Sequence, residues 1–315
     1  MTSLIEQAAR RLEQLRQAGV EVPEIAPPAA LAPAPVPVPP APEPTPAPAP
    51  APLSRRVELN LDAIAAAGIV TPNAPRTRLA DQYRVIKRPL ITNATGRGAS
   101  PVKHGNLIMV TSAVSGEGKS FTSINLAMSI AAELDHTVML VDADVARPSM
   151  LRMLGLPQGQ GLLEVLEGKA ELPDVLLRTN VDKLTLLPSG SPHPKATELL
   201  ASDAMSSLLE DMATRYPDRI IIFDSPPLLL TTESRVLATH MGQIVVVVRA
   251  DHTQRSAVNN ALAAIESCPV KMMVLNQARS DSGGYGAGYQ YGYGYGYGQG
   301  SGGDSQPPAD GPVKR

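Results

Sequence analysis

Six strongly apolar runs alternate with helical stretches between residues 106 and 276, and this alternation constrains the fold more than any other feature. Each run is almost uninterrupted by polar residues, which indicates strands buried on both faces. Strands and helices that alternate in this way predict an α/β fold with a doubly wound, mostly parallel sheet. Such sheets bind ligands at the carboxyl ends of their strands. The runs are LIMVTS, TVMLVD, KLTLLP, RIIIFD, QIVVVV and KMMVLN, and the helical stretches begin near Lys119, Pro148, Gly161, Ala196, Thr232 and Thr253.

Proline and tyrosine are distributed unevenly, and their positions divide the chain. Fourteen of the 31 prolines lie between Pro23 and Pro52, where they favour an extended spacer. Six of the eight tyrosines lie between Tyr285 and Tyr297, where glycine leaves no aliphatic side chains for a core. We therefore expect four parts: a short amphipathic helix (1–22), a Pro/Ala-rich linker (23–75), one folded domain (76–280) and a disordered tyrosine-rich tail (281–315). Near the start of the domain, residues 79–87 read as a helix that ends before Pro89.

Charge and cysteine content exclude several classes of protein. The formal net charge is −2, from 28 basic and 30 acidic residues, which argues against a general nucleic-acid binder. The single cysteine, Cys268, excludes an internal disulfide framework. No apolar run approaches the roughly 20 residues that a membrane span needs, and the N-terminus does not resemble a secretion signal. We expect a cytoplasmic protein that inserts no segment into a membrane and reaches the inner membrane through a partner.

A phosphate-binding loop follows the first predicted strand. Residues Ala113–Ser120, AVSGEGKS, have the spacing of a Walker A motif with alanine at the first glycine position. Glycines allow backbone N–H groups to surround phosphate oxygens, the lysine contacts the β- and γ-phosphates, and the serine hydroxyl reaches Mg²⁺. The strand and helix that flank the loop are the context that this motif requires. The expected nucleotide-binding residues are Ser115, Gly116, Glu117, Gly118, Lys119, Ser120 and Phe121.

Three acidic residues follow two further predicted strands. Asp142 and Asp144 lie at the end of TVMLVD, and Asp224 ends RIIIFD and precedes two prolines. Buried carboxylates at strand ends are costly without a cation, and a nearby Mg²⁺ removes that cost. Asp224 fits the Walker B position, which holds the metal. The sequence thus predicts ATP and Mg²⁺ as cofactors, with the metal ligands Ser120, Asp142 and Asp224.

These motifs resemble the bacterial tyrosine kinases, or BY-kinases, of exopolysaccharide export clusters. The resemblance covers about residues 79–297 and rests on the P-loop, the D-x-D motif, the D-x-x-P motif and the tyrosine-rich end. It extends to ELLASDAM (198–205) and, among stand-alone autokinases of exosortase-linked loci, to IKRPL, VDADVARPS and DSPPLLLTTE. The resemblance implies an ATP-dependent protein-tyrosine autokinase that regulates polysaccharide polymerisation or export. It also implies a membrane polysaccharide co-polymerase as activator, a tyrosine phosphatase and a homo-oligomeric ring.

Individual roles follow from the same resemblance. Lys119, Asp142, Asp144 and Asp224 are the expected catalytic residues. Within this set, Asp142 accepts or orients the tyrosine proton and Asp144 supports the metal through water. Asn276, at the end of the last strand, resembles an asparagine that contacts adenine.

Two motifs depart from the family pattern. Ala146 stands where an arginine follows D-x-D-x, with Arg147 one position later. The oligomerisation motif E-x-x-R-x-x-R appears as Asp81, Arg84 and Lys87. A lysine lacks the bidentate fork of an arginine. The interpretation as a ring interface competes with that of a solvated helix face.

The expected phosphoacceptors are the six clustered tyrosines. A glycine-rich chain gives them free access to a catalytic cleft, and no Lys or Arg lies between Asp281 and Asp304 to support nucleic-acid binding. They are Tyr285, Tyr289, Tyr291, Tyr293, Tyr295 and Tyr297.

Two other functions remain possible from the sequence. A partition-type nucleotide-switch ATPase has the same fold, but it carries a signature lysine five residues before the P-loop lysine, where this chain has Val114. A non-catalytic scaffold is disfavoured because Lys119, Ser120, Asp142 and Asp224 are all present.

Overall fold

The fold was examined in a computed structural model that describes residues 13, 14, 17, 55–72, 77–215 and 218–278. The chain divides into residues 1–51 and 52–315, and the sheet belongs to the second unit. Residues 13, 14 and 17 are helical and exposed. The rest of the predicted N-terminal helix, the proline tract and the six clustered tyrosines lie outside the described residues. In the part that is described, no helix is long and apolar enough to cross a membrane.

Eight strands form one mostly parallel sheet, which confirms the predicted doubly wound fold. Their order across the sheet is β1-β4-β5-β3-β6-β2-β7-β8, and only the short pair β4 and β5 is antiparallel. The strands are β1 (Arg55–Arg56), β2 (Leu107–Ser112), β3 (Thr137–Asp142), β4 (Leu177–Arg178), β5 (Leu184–Leu187), β6 (Arg219–Asp224), β7 (Gln243–Arg249) and β8 (Val270–Asn276).

Helices cover both faces of this sheet and bury two separate hydrophobic clusters. β2, β3 and β6 are buried along nearly their whole length, as expected for central parallel strands. The described helices are α1 (Leu61–Ala66), α2 (Arg78–Ala94), α3 (Lys119–Ala131), α4 (Met150–Met153), α5 (Leu162–Leu166), α6 (Leu172–Val175), α7 (Ala196–Leu200), α8 (Asp203–Arg215), α9 (Glu233–Thr239) and α10 (Arg255–Ala264).

Strand β8 differs from the predicted pattern of complete burial. It lies at the edge of the sheet beside β7, and burial alternates along it. Met272 and Val274 pack against the cluster that contains α2, whereas Met273 and Leu275 are exposed. Its apolar sequence therefore does not mean burial on both faces.

Helix α2 continues through Pro89 to Ala94, so the prediction that it ends before Pro89 is wrong. Proline removes one backbone donor, and Pro89 is exposed where water can reach the carbonyl that loses its partner. Burial of Leu90 and of Tyr83 on the same helix favours continuation. Tertiary packing therefore outweighs the local cost of proline.

The folded domain begins earlier than the predicted boundary at residue 76. β1 pairs with β4, and Leu59, Ile64 and Ile69 are buried in the second cluster. The side chain of Asn60 caps α1. Residues 55–72 thus pack against the domain and are not part of a linker.

Candidate active site

The loop between β2 and α3 has the backbone that a phosphate site needs. Gly116 and Gly118 have φ values of 84° and 93°, which side chains disfavour. Gly118 also has no space for a side chain, because an added Cβ would lie 2.1 Å from the Nδ2 of Asn276. The loop ends at the N-terminus of α3, whose free N–H groups suit anions.

Glu117 fixes this loop to the ends of two strands. Its side chain is buried, with a relative exposure of 1%. One oxygen accepts the Val114 N–H at 2.7 Å, and the other accepts from the Thr253 hydroxyl and the Arg249 N–H. Its carbonyl accepts from the Asn276 Nδ2 at 2.9 Å. The sequence predicts Glu117 only as part of the nucleotide contact, because the anchoring partners Thr253 and Asn276 lie far along the chain.

Lys119 forms an ion pair with Asp144. The Nζ to Oδ2 distance is 2.6 Å, and both side chains are largely buried. The sequence predicts for Asp144 a metal contact through water, and the structure places its carboxylate directly on the lysine. The pair joins residues 25 positions apart in the sequence.

Asp142 and Asp224 lie side by side at the ends of β3 and β6, where they occupy paired positions. Asp142 accepts the N–H groups of Ser149 and Met150 with Oδ2, and Asp224 accepts the Ser123 hydroxyl with Oδ1. Asp142 Oδ1 and Asp224 Oδ2 are buried and have no hydrogen-bond partner within the described structure.

Burial, together with the charges of neighbouring carboxylates, makes both carboxyl groups weak acids. Burial, followed by the charge of Asp224, raises the pKa of Asp142 to about 7. Burial raises the pKa of Asp224 to about 6, against the opposing effect of Lys119. A cation between the two groups would reverse both shifts, because it stabilises their charged forms.

The two free oxygens fit a hard divalent cation. Carboxylate and hydroxyl oxygens are the ligands that Mg²⁺ prefers, and Mg²⁺ keeps waters and phosphate oxygens in its remaining positions. Ser120 lies beside Asp224 and lowers the pKa of that carboxyl group, and the Ser149 hydroxyl donates to the Ser120 hydroxyl at 2.9 Å. In the described part of the chain, no group of three His, Cys, Asp or Glu side chains is placed to hold a metal ion by itself. The Ser120 hydroxyl would serve as a further protein ligand.

A cavity of about 580 Å³ opens above the P-loop. Lys119, Ser120 and Phe121 line it. The lining also includes cationic and apolar side chains from Arg147, Arg152, Met153, Pro227 and Leu230. Arg147 therefore lies at the cavity although it is displaced by one position from the family motif.

The predicted oligomerisation residues on α2 do not line this cavity. Asp81 and Arg84 form an exposed pair at 3.1 Å on α2. Lys87 is only 4% exposed and pairs with Glu133 at 2.7 Å, so it does not share their solvated face. The six clustered tyrosines lie outside the described residues.

The fold and the site define a P-loop nucleoside triphosphatase. The family model described as ParA, NUBPL iron-transfer P-loop NTPase, matches residues 103–276. Tyrosine-protein kinase YwqD of Bacillus subtilis is 30% identical over 205 residues, which cover 65% of this chain and 83% of YwqD. Tyrosine-protein kinase CpsD of Streptococcus agalactiae is 31% identical and is covered to 80%. Within the P-loop proteins, the chain belongs to the bacterial tyrosine-protein kinases.

Other relatives match only with a part of their length. Tyrosine-protein kinase ptk of Acinetobacter johnsonii is 34% identical over 182 residues, but the match spans 24% of it. Among solved structures, the VpsO kinase domain is 28% identical with a TM-score of 0.52, and the match covers 64% of this chain and all of that domain. The chimerical protein CapA2B2 has a TM-score of 0.57 at 24% identity, covers 70% of this chain and supports the fold.

Proposed function

We propose that the protein uses MgATP to phosphorylate the tyrosines between Tyr285 and Tyr297. The observation that carries this proposal is the pair of buried, unpartnered carboxylate oxygens of Asp142 and Asp224 beside the P-loop lysine. Such a pair suits a metal-bound triphosphate. The arginine and apolar side chains of the cavity lining leave room for a second substrate.

The proposed roles use the geometry of this chain. Lys119 and the loop amides would hold the phosphates. Ser120 and Asp224 would hold Mg²⁺, which would supply positive charge to neutralise the developing phosphate charge. The phenolic oxygen of the incoming tyrosine bonds to the γ-phosphorus as the bond from phosphorus to the β–γ bridging oxygen breaks. Asp142 accepts or orients the phenolic proton, because its carboxylate lies at the site with Oδ1 free of a hydrogen bond within the described structure. ADP and phosphotyrosine are the products.

The cellular setting is part of the proposal. We place this protein in the cytoplasm, bound to a membrane polysaccharide co-polymerase that activates it and opposed by a tyrosine phosphatase. Asn276 is the proposed adenine contact, as the Gly118 backbone beside it forms part of the loop.

Intact mass spectrometry tests the proposal. Phosphatase-treated protein incubated with MgATP should acquire a ladder of phosphate masses on the tail. Lys119→Met should abolish the ladder, and Lys103→Met, which replaces an exposed lysine, should retain it. ATP hydrolysis without tail phosphate in the unmodified chain would favour the nucleotide-switch ATPase instead. Thermal unfolding of both variants verifies that they are folded.

A further inference from the structure

An apolar groove of about 520 Å³ lies between α2 and the open edge of β8. Its lining carries no charged side chain: Leu79, Gln82, Tyr83, Val85, Ile86 and Pro89 from α2, and Met272, Met273, Val274, Leu275 and Asn276 from β8. Asn276, at one end of the groove, also contacts the phosphate loop. The proposed kinase reaction gives the other lining residues no role.

Three large side chains around the groove are exposed. Val85 is 74%, Met273 59% and Leu275 64% exposed. β8 is the last strand of the sheet, so no described strand pairs with its outer edge. An apolar strand with an unpaired edge readily pairs with another extended segment, and proteins usually cover or charge such edges.

The chain itself supplies a segment at the end of this groove. β8 ends at Asn276, which lines the groove, and the described structure ends two residues later at Ala278. Between Asp281 and Asp304 the chain carries no charged residue, so it matches the uncharged lining. The connection from 277 to 284 contains Gly283 and Gly284, which favour a turn.

The tail has the period of a strand. From residue 285 to 297 every tyrosine has an odd number, and the even positions hold glycine except for Gln290. Successive side chains of a strand point to opposite faces, so an extended tail presents all its tyrosines on one face and a nearly bare face on the other. The nearly bare face allows the backbone of the tail to lie close to neighbouring side chains, and the other face presents the aromatic rings.

We propose that residues 285–297 pair antiparallel with the outer edge of β8 in their own chain, as an additional strand. The glycine face lies toward α2, on the side of the sheet where Met272 and Val274 pack. The tyrosine face lies over Met273 and Leu275, whose exposed thioether and isobutyl groups suit aromatic rings. If the proposed kinase function holds, this docked state withholds the acceptor tyrosines from the active site.

Hydrogen–deuterium exchange on phosphatase-treated full-length protein without ATP tests the docking independently of kinase activity. Gly292→Pro with Gly294→Pro prevents strand pairing and changes nothing in the described domain. Exchange in the β8 peptide 270–278 should become at least about fivefold faster than in the unmodified chain. Gly302→Pro, which lies beyond the tyrosines, should have no effect. Equal exchange in the unmodified chain and the double proline variant would overturn the proposal.

Two further measurements distinguish docking of the chain's own tail from docking of a second copy, and they test the groove. Protection of β8 should be the same over a hundredfold range of protein concentration, and protection that rises with concentration would assign the groove to a second copy instead. Leu275→Asp should make chymotrypsin cleave after the tail tyrosines at least about fivefold faster, whereas Leu134→Asp, at another exposed leucine, should not. Unchanged cleavage in Leu275→Asp would contradict docking on this face.

Discussion

At the scale of single residues, Glu117 connects the nucleotide loop to the rest of the sheet. Its carboxylate accepts from Thr253 and from the Arg249 N–H, near the end of β7, and its carbonyl accepts from Asn276 at the end of β8. A buried acid inside a phosphate loop opposes phosphate binding unless its charge is held by donors. These contacts therefore fix the loop and also direct the negative charge away from the nucleotide.

Thr253→Val should weaken ATP binding about ten- to a hundredfold, because one hydrogen bond to a charged group is worth roughly 1.5–3 kcal/mol. Isothermal titration calorimetry with MgATP measures the change in Kd. Thr239→Val, which removes an exposed hydroxyl bonded to the Val236 carbonyl, is the matched control. An unchanged Kd in a folded Thr253→Val protein would show that Glu117 holds the loop without this hydroxyl.

Asp142 should make the nucleotide-free protein less stable as the pH rises. Its pKa is raised from 3.8 to about 7 by burial and by Asp224, so the folded state binds the proton more tightly than the unfolded state. Ionisation of Asp142 therefore costs no stability below about pH 4, and the cost reaches its full size above about pH 7. Between pH 5 and 8, wild type should lose roughly 2 kcal/mol relative to Asp142→Asn. Denaturant unfolding measures this difference, and excess MgATP should diminish it. Parallel pH profiles for the two proteins would contradict the raised pKa.

The sequence predicts which polar residues gather at the site better than it predicts how they are paired. Lys119, Asp142 and Asp224 follow strands that the apolar pattern identifies, so their convergence was predictable. The partner of Lys119 was not predictable, because Asp142 and Asp144 both follow β3. The turn after β3 decides which of the two carboxylates reaches Nζ. The anchoring of Glu117 depends on Thr253, far along the chain, and left no local signal.

At the scale of elements, α2 is attached to α3 and the turn after it by one buried cation. Lys87 donates to the Ser129 carbonyl at 2.5 Å and pairs with Glu133, whose pKa is lowered chiefly by its hydrogen bond from Lys87. Lys87 has little exposed surface through which water could replace either partner. The pair therefore holds the two helices in register.

Glu133→Gln should destabilise the protein by about 1–3 kcal/mol, since it leaves a buried ammonium with a weaker partner. This loss in unfolding free energy is smaller than for a fully buried ion pair, because Glu133 remains partly exposed. The lowered pKa of Glu133 means that this contribution is present above about pH 4.5 and is lost as the pH falls further. Urea unfolding at pH 7 measures the effect. Glu266→Gln at an exposed site is the control, and equal midpoints for the two variants would contradict the argument.

Element boundaries were less predictable than element types. Pro89 by itself predicts an end of α2 that is too early. The helix continues because Leu90, the next residue, is buried in the core. Residues 55–72 follow a proline tract and look weakly helical, yet Leu59, Ile64 and Ile69 fit into a cluster that distant segments build. Packing partners remote in sequence decide both cases.

At the scale of the whole molecule, the exposed part of α2 is the region to test for self-association. Lys87 is unsuitable for such a test because its replacement disturbs the fold. Arg84 is exposed, and Arg84→Glu places a second negative charge beside Asp81. If the ring forms through this motif, Arg84→Glu should lower the sedimenting mass of phosphatase-treated protein with unchanged thermal stability. Arg97→Glu, an exposed change outside α2, should not. Identical masses for all three proteins would remove the motif from the interface.

The ion pair between Lys119 and Asp144 makes ligand entry an exchange of partners. A free anion such as inorganic phosphate must compete with a carboxylate already 2.6 Å from the ammonium, and it gains little in return. A triphosphate offers several oxygens and a bound cation, so it can displace the carboxylate and leave the cation to stabilise it. We therefore expect the ion pair to favour a triphosphate over small anions. The Asp144 carboxylate would leave Lys119 only when the triphosphate binds.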